Sequence, residues 1–170
     1  MMEKGKTHFK GKLLHLMTRW VTLPNGYSLR IELIKHPGAA LIVPFLTNGK
    51  VILLRQFRPA VNSYLYELPA GTLSKNERPL ACARREIVEE TGYAASRFTL
   101  LGALHPVPGY STEKITVYKA EKLTPKKRNA EKDEVIEGHI VTRPEVRRLF
   151  KGGRITDAKT ICAFTMCGWL

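Results

Sequence analysis

The sequence predicts a single α+β domain of layered strands and helices. Three observations support this class. Short apolar and β-branched runs separated by Pro, Asn and Gly turns occupy most of the chain, one long helical pattern interrupts them midway, and two further helical patterns close it. A chain of 170 residues is long enough for one core, and no second catalytic domain is expected.

Leu13 to Val21 and Tyr27 to Ile34 flank Pro24-Asn25-Gly26, a hairpin turn signal, so residues 1–38 are expected to form a small N-terminal antiparallel strand unit. His36-Pro37-Gly38 then breaks the chain, and residues 39–170 hold the main domain. Its expected strands are Ala39 to Phe45 and Val51 to Phe57 around Asn48-Gly49, then the short Leu65 to Leu68. A helix follows between Pro79, suited to a first turn, and Gly92, suited to a left-handed last residue. Leu80, Ala83, Ile87 and Val88 recur at helical spacing and would make its buried stripe. Phe98 to His105 and Ile115 to Ala120 read as strands about a Pro-Gly loop, followed by the strand Val135 to Val141. Pro144 to Lys151 and Asp157 to Trp169 read as closing helices.

The net charge of +13 and the pI near 9.9 suit an anionic partner. A small phosphorylated substrate in a basic cleft is one such partner, and nucleic acid another. Lys4, Lys6, Lys10, Lys12 and the run Lys126, Lys127, Arg128 lack interleaved aromatics, so nucleic acid is not the expected partner. The longest apolar run, Ala39 to Leu46, contains Pro44 and is too short to cross a bilayer, so no membrane association is expected. The polar N-terminus lacks an apolar signal segment, and a cytoplasmic location is expected. Cys82, Cys162 and Cys167 are odd in number without a CxxC pair, which argues against a disulfide framework or a zinc site; core thiols are expected.

The most informative stretch is Gly71 to Tyr93, GTLSKNERPLACARREIVEETGY. Glu86 and Glu90 lie one helical turn apart with Glu89 in reach of Glu86, so carboxylates crowd one helix edge. Hard cations such as Mg2+ take oxygen ligands, commonly one or two carboxylates with substrate phosphates and water. A solvated acidic face paired with Arg84 and Arg85 is the plainer alternative. The spaced Gly71, Glu77, Arg85 and Gly92 favour metal binding.

These residues fill every position of G-x5-E-x7-R-E-U-x-E-E-x-G-U, with U a bulky apolar residue. Seven fixed types at ~7% usage match by chance at a given start on the order of once in 10^8. The stretch resembles the box of the Nudix hydrolases. RIELIKHPGAALIVPF, VILLRQFRPAV, YELPAG, HPVPGYSTEKITVYKA, KDEVIEGHIV and GGRITDAKTICAF extend the likeness to the ADP-ribose and nucleoside diphosphate sugar pyrophosphatase branch, from about Trp20 to Phe164. The resemblance implies a Nudix fold, a three-layer α/β/α sandwich of mixed sheets preceded by the N-terminal strand unit. It also implies a homodimer in which each subunit helps complete the other's substrate site.

By the same resemblance Glu86 and Glu90 are the principal Mg2+ ligands, Glu89 lies close by and the Ala70 carbonyl completes a position, with Mn2+ as a substitute. Arg85 orients a glutamate, Gly71 permits a conformation that a side chain resists, and Glu77 ties the loop to the helix, unless it is simply an exposed charge. The general base falls in Asn129 to Glu134, with Glu134 the first choice and Glu131 and Asp133 competing; an acidic loop is ordinarily just solvated, and Lys132 departs from the more acidic loops of the branch. Arg58 is placed to clamp a phosphate or is a strand-end surface arginine. Gly109, Tyr110, Ser111 and Glu113 match the loop beside the terminal sugar, although a Pro-Gly pair alone means a turn. Arg30 and His36 are assigned to the nucleobase across a dimer interface, against plainer readings as a hairpin arginine and a structural histidine. Trp20 and Trp169 read as core or interface anchors.

The expected activity is Mg2+-dependent hydrolysis of the diphosphate linkage of ADP-ribose or a related nucleoside diphosphate sugar. A nucleoside triphosphate or CoA pyrophosphatase is the second enzyme reading. A non-catalytic nucleotide-sugar sensor or RNA-binding domain is a third, disfavoured by the intact glutamates.

Overall fold

The computed structural model describes residues 5–127 and 135–170. The chain opens with β1 (Lys6–Lys10), β2 (His15–Thr22) and β3 (Ser28–Ile34), paired antiparallel in that order. The sequence pattern does not predict β1. All five of its residues are exposed, so pairing to β2 holds it and no burial pattern marks it. The β2–β3 hairpin turns at Gly26, whose φ of 84° favours glycine.

Next come β4 (Ala39–Pro44), β5 (Val51–Arg58), a 3-10 turn at Pro59–Val61, β6 (Ser63–Glu67) and the three-residue β7 (Ala70–Thr72). Helix α1 (Pro79–Thr91) leads directly into β8 (Tyr93–Leu104), then β9 (Ile115–Pro125), β10 (Ile136–Val141), α2 (Arg143–Lys151) and α3 (Ala158–Met166). Two further sheets result, an antiparallel β10-β5-β6 and a mixed β7-β4-β9-β8 in which β4 and β9 run parallel.

Every residue of β4 is buried because both faces of its sheet are covered. Ala40 and Ile42 point to one side and join Cys82, Ala83 and Ile87 of α1 in a core. Ala39, Leu41 and Val43 point to the other and pack with Val146 of α2 and Ala163 and Phe164 of α3. The three-stranded sheet adds Val51, Leu53 and Val141 to this second core. The three-layer α/β/α sandwich follows directly from this alternation.

Several boundaries differ from the sequence pattern. β8 begins at Tyr93, because its ladder with β9 runs from Tyr93–Pro125 to Leu104–Ile115, through an irregularity between Leu100 and Gly102. α3 stops at Met166; beyond it Trp169 stacks on Phe164 at 5.7 Å and 12° and closes the core. Asp157 caps α3 by accepting from the Thr160 amide, and Thr142 and Glu145 cap α2 reciprocally. The expectation of core thiols holds for Cys82 and is corrected for Cys162, which α3 turns to solvent. Trp20 is 53% exposed. Among the described residues no helix is long and apolar enough to cross a membrane.

The end of β3 is fastened to the loop before β9. Ile34 donates to the Tyr110 carbonyl at 2.7 Å and accepts from the Thr112 amide at 3.0 Å. The Thr112 hydroxyl accepts from the His36 amide at 2.9 Å.

Candidate active site

Helix α1 starts at Pro79 and ends at Gly92, whose φ of 73° and ψ of 24° close the last turn while its amide donates to the Val88 carbonyl. The apolar stripe turned into the core draws its neighbours with it, so Glu86 and Glu90 are 9% and 5% exposed. Buried carboxylates need partners. The Ala70 amide donates to Glu90 at 3.0 Å, and the Arg85 guanidinium donates to Glu86 at 2.6 Å and to Glu89 at 2.9 Å.

Gly71 lies on β7 directly beside this edge. A Cβ there would overlap the Glu86 carboxylate. Its φ is not in the left-handed region, so close approach, and not the unusual conformation expected from the sequence, is what demands glycine here.

Arg85 organises the acids of the stretch. Its Nε and Nη2 donate to the two oxygens of Glu77, each at 3.1 Å. Glu77 also accepts from the Ser74 amide at 2.9 Å, which links the loop before α1 to the helix. Hydrogen bonds from Arg85 hold the Glu77 carboxyl below the usual carboxylate range, and the same contacts push the Arg85 guanidinium up. Burial, then the charge of Glu86, pushes the Cys82 thiol up to about 12, so Cys82 is an inert core thiol.

A second network stands at the end of β5. Arg58 donates through Nε and Nη2 to both oxygens of Glu67 at 2.7 Å, the fork geometry of a bidentate pair. Lys159 of α3 donates to Glu67 as well, and to Asp157 at 2.8 Å. Burial alone would raise the Glu67 carboxyl, but the hydrogen bonds and charges of Arg58 and Lys159 outweigh it and hold it below its ordinary range.

Both networks open onto one cavity of about 640 Å³. Ala70, Gly71, Arg58, Arg85, Glu86, Glu89 and Glu113 of the sequence-derived residues line it. Glu90 sits behind the wall, held on the Ala70 amide. His36 lies 3.9 Å from Glu113 and its Nδ1 accepts from the Gly38 amide, while the Ser111 hydroxyl accepts from the Glu113 amide. Arg30, Gly109 and Tyr110 are exposed and outside the cavity lining; Arg30 stands opposite Trp20 in the β2–β3 register. Glu131, Asp133 and Glu134 lie outside the described residues.

The sequence pattern missed Glu67, Asp157 and Lys159. Glu67 did leave a signal, an acid inside the apolar stretch YLYELPAG, but its partners stand 9 and 92 residues away.

Among the described residues no three His, Cys, Asp or Glu side chains are already gathered as a metal cluster. Glu86 and Glu89 are turned to Arg85, and Glu90 to Ala70. The donor chemistry nonetheless fits a hard divalent cation: the carboxylates of Glu86 and Glu89 stand at the cavity wall with that of Glu90 behind them, and the lack of a side chain on Gly71 admits the Glu86 carboxylate.

The chain is 38% identical over 157 residues to the ADP-ribose pyrophosphatase of Bacillus subtilis (strain 168), covering 91% of this chain and 85% of the relative. It is 34% identical over 163 residues to a methanol dehydrogenase activator of Bacillus methanolicus, covering 94% and 88%. It is 32% identical over 165 residues to a GDP-mannose pyrophosphatase of Escherichia coli O1:K1 / APEC, covering 87% and 83%. A crystal structure of an ADP compounds hydrolase superposes with a TM-score of 0.83 at 21% identity, over 98% of this chain and 91% of the other, a likeness of fold. The NUDIX domain matches residues 35–164, the span that carries both networks and every residue of the cavity lining except Leu13, and the chain belongs to the NUDIX family.

Proposed function

We propose that this protein hydrolyses the diphosphate linkage of ADP-ribose or a related nucleoside diphosphate sugar, releasing a nucleoside monophosphate and a sugar phosphate. The observation that carries the proposal is the convergence of the acidic edge of α1 with Arg58 on one cavity, of a volume that suits a small-molecule ligand. The pyrophosphatase names of two of its relatives support the substrate class.

Glu86 and Glu90, with Glu89 and the Ala70 carbonyl, would hold Mg2+, or Mn2+ in its place. Such a cation neutralises phosphoryl oxygens and makes bound water more acidic. Arg85 keeps the carboxylates gathered against their mutual repulsion, and Gly71 lets Glu86 approach the loop. Arg58 offers its remaining guanidinium N–H groups to a phosphate. Water adds to one phosphorus, the anhydride P–O bond breaks, and its electron pair leaves on the other phosphate. We assign the removal of the water proton to Glu134, with Glu131 and Asp133 as competitors.

We also propose a homodimer built on the N-terminal sheet, where Phe9, Leu14 and Trp20 are exposed and Arg30 stands beside Trp20. In that arrangement we assign Arg30 and His36 to the nucleobase in the partner's site, and Gly109, Tyr110, Ser111 and Glu113 to the terminal sugar. A cytoplasmic setting accords with the free surface thiol of Cys162.

Hydrolysis of ADP-ribose, GDP-mannose, UDP-glucose, nucleoside triphosphates and CoA, each with Mg2+ and with chelator, tests the reading. AMP and ribose 5-phosphate from ADP-ribose, abolished by chelator, are expected. Hydrolysis confined to triphosphates or CoA would overturn it.

A further inference from the structure

We propose that the open end of the β10-β5-β6 sheet, together with the C-terminal end of α2, is a binding platform for single-stranded nucleic acid. It is a separate site, independent of the hydrolase reading, since none of the residues that form it lines the cavity.

Strand alternation builds the face. Val51 and Leu53 of β5 and Val141 of β10 point into the core. Beyond the core the same side of β5 continues with Arg55 and Phe57, which stand opposite Tyr66 and Tyr64 of β6, and Arg55 also stands opposite Glu137 of β10. Residues directly opposite in an antiparallel ladder share a face. By the same alternation Arg58 and Glu67 belong to the other face. Tyr64 is 39% exposed and the His139 side chain 43%, so this end of the sheet is open to solvent.

Rings and cations alternate there. The Arg55 guanidinium carbon lies 3.8 Å from the Tyr64 ring centroid, and Phe57 meets Tyr64 edge-on at 5.3 Å. Tyr66 packs edge-on with His139 at 6.1 Å, and the Arg154 guanidinium carbon stands 6.0 Å from the Tyr66 ring. The Arg154 amide donates to the Leu149 carbonyl at 2.8 Å, which sets the end of α2, with exposed Arg148 and Lys151, beside it. Two acids oppose these cations. Glu137 accepts from Arg55 at 3.1 Å, and Glu145 is engaged with Thr142 in the cap at the far end of α2. The surplus of cations suits a polyanion, as does the net charge of +13.

Charge alone would accept any polyanion, and the rings narrow the choice. A base offers its π face to a tyrosine or a guanidinium plane when it is unpaired and splayed from its strand. Tyr64 and Tyr66, two residues apart on β6, stand about 7 Å apart along the strand, which leaves room for a base at each. The sequence hides this arrangement. Its lysine clusters lack aromatics, and the rings and cations of the platform come from three strands and a loop that folding joins.

The test is fluorescence anisotropy with the whole chain, using a labelled mixed-sequence RNA about 12 nucleotides long, the matching single-stranded DNA and the DNA duplex. Single strands should bind with an affinity that falls as salt rises, and the duplex at least about tenfold more weakly. Tighter binding of RNA than of DNA names RNA as the occupant, and the reverse names DNA. Tyr64→Leu, which keeps apolar bulk and removes the ring, should weaken single strands at least about fivefold, and Tyr64→Phe should restore most of the affinity. Arg154→Ala, at an exposed position that leaves the core untouched, should reduce the slope of log affinity against log salt by about 0.7. Equal affinity for duplex and single strand, or single-strand binding by Tyr64→Leu within about twofold of the parent, would overturn the proposal. So would self-association of the parent in sedimentation that Tyr64→Leu abolishes, because the face would then belong to a second copy of the chain. ADP-ribose turnover is the separate readout: Tyr64→Leu should retain it, and a parent that binds single strands and cleaves no diphosphate would defeat the hydrolase reading alone.

Discussion

Gly71 and Glu86 are packed so closely that any side chain on the first would occupy the space of the second's carboxylate. The strand carrying Gly71 and the helix carrying Glu86 both belong to the wall of the cavity. Gly71→Ala should therefore push Glu86 or the loop aside and lower kcat by about 10²-fold, the scale expected for a displacement near 1 Å. Steady-state kinetics with Mg2+ titration checks it, and a fully active Gly71→Ala variant would show that the contact is relaxed at little cost.

Arg85 is the shared cation of Glu77, Glu86 and Glu89. Its side chain is 34% exposed, so solvent screens part of what the pairs contribute. Arg85→Ala should cost about 1–2 kcal/mol, a fall in Tm of about 2–8 °C. Arg85→Lys should recover a part, because an ammonium does not reproduce the fork on Glu77. Calorimetric melting of the two variants measures both effects.

The Glu67 network has a signed pH dependence. Its carboxyl titrates lower in the folded chain than its ordinary value of 4.5. The stability it contributes is thus complete above pH 4.5 and is lost as pH falls through the lower folded value. Melting curves of the parent and Glu67→Gln should differ by a constant amount near neutrality and converge in acid. A difference that widens on acidification would contradict the assigned direction.

Thr160 joins α3 to the residue after β6 through a buried hydrogen bond to the Leu68 amide. Thr160→Val keeps the shape and leaves that amide without its acceptor, a loss of about 1–3 kcal/mol. Denaturant unfolding measures it. A neutral effect would mean that another acceptor replaces the hydroxyl.

Much of the fold and part of the site were legible in the sequence, for definable reasons. Helix α1 announced itself because Pro79 and Gly92 are local signals and because its stripe repeats at helical spacing. β4 was legible as an apolar run because both its faces are covered. β1 was not, since an exposed strand carries no burial pattern, and the early start of β8 was not, since it is set by pairing with β9. The carboxylates of α1 could be found from spacing alone. Glu67 and Lys159 could not, because the contact joining them exists after α3 has folded back on β6. Gly71 was singled out for the wrong physical reason: the sequence suggests backbone freedom, and the structure shows crowding.

The most direct test of the central claim is turnover of ADP-ribose by Glu90→Gln in saturating Mg2+. The glutamine keeps an oxygen for the Ala70 amide, so the fold and Tm should be preserved while a carboxylate charge is removed. The account predicts a fall in kcat/KM of at least about 10²-fold, comparable to deleting one electrostatic contact to a transition state. A folded Glu90→Gln protein with near-parental turnover would contradict it.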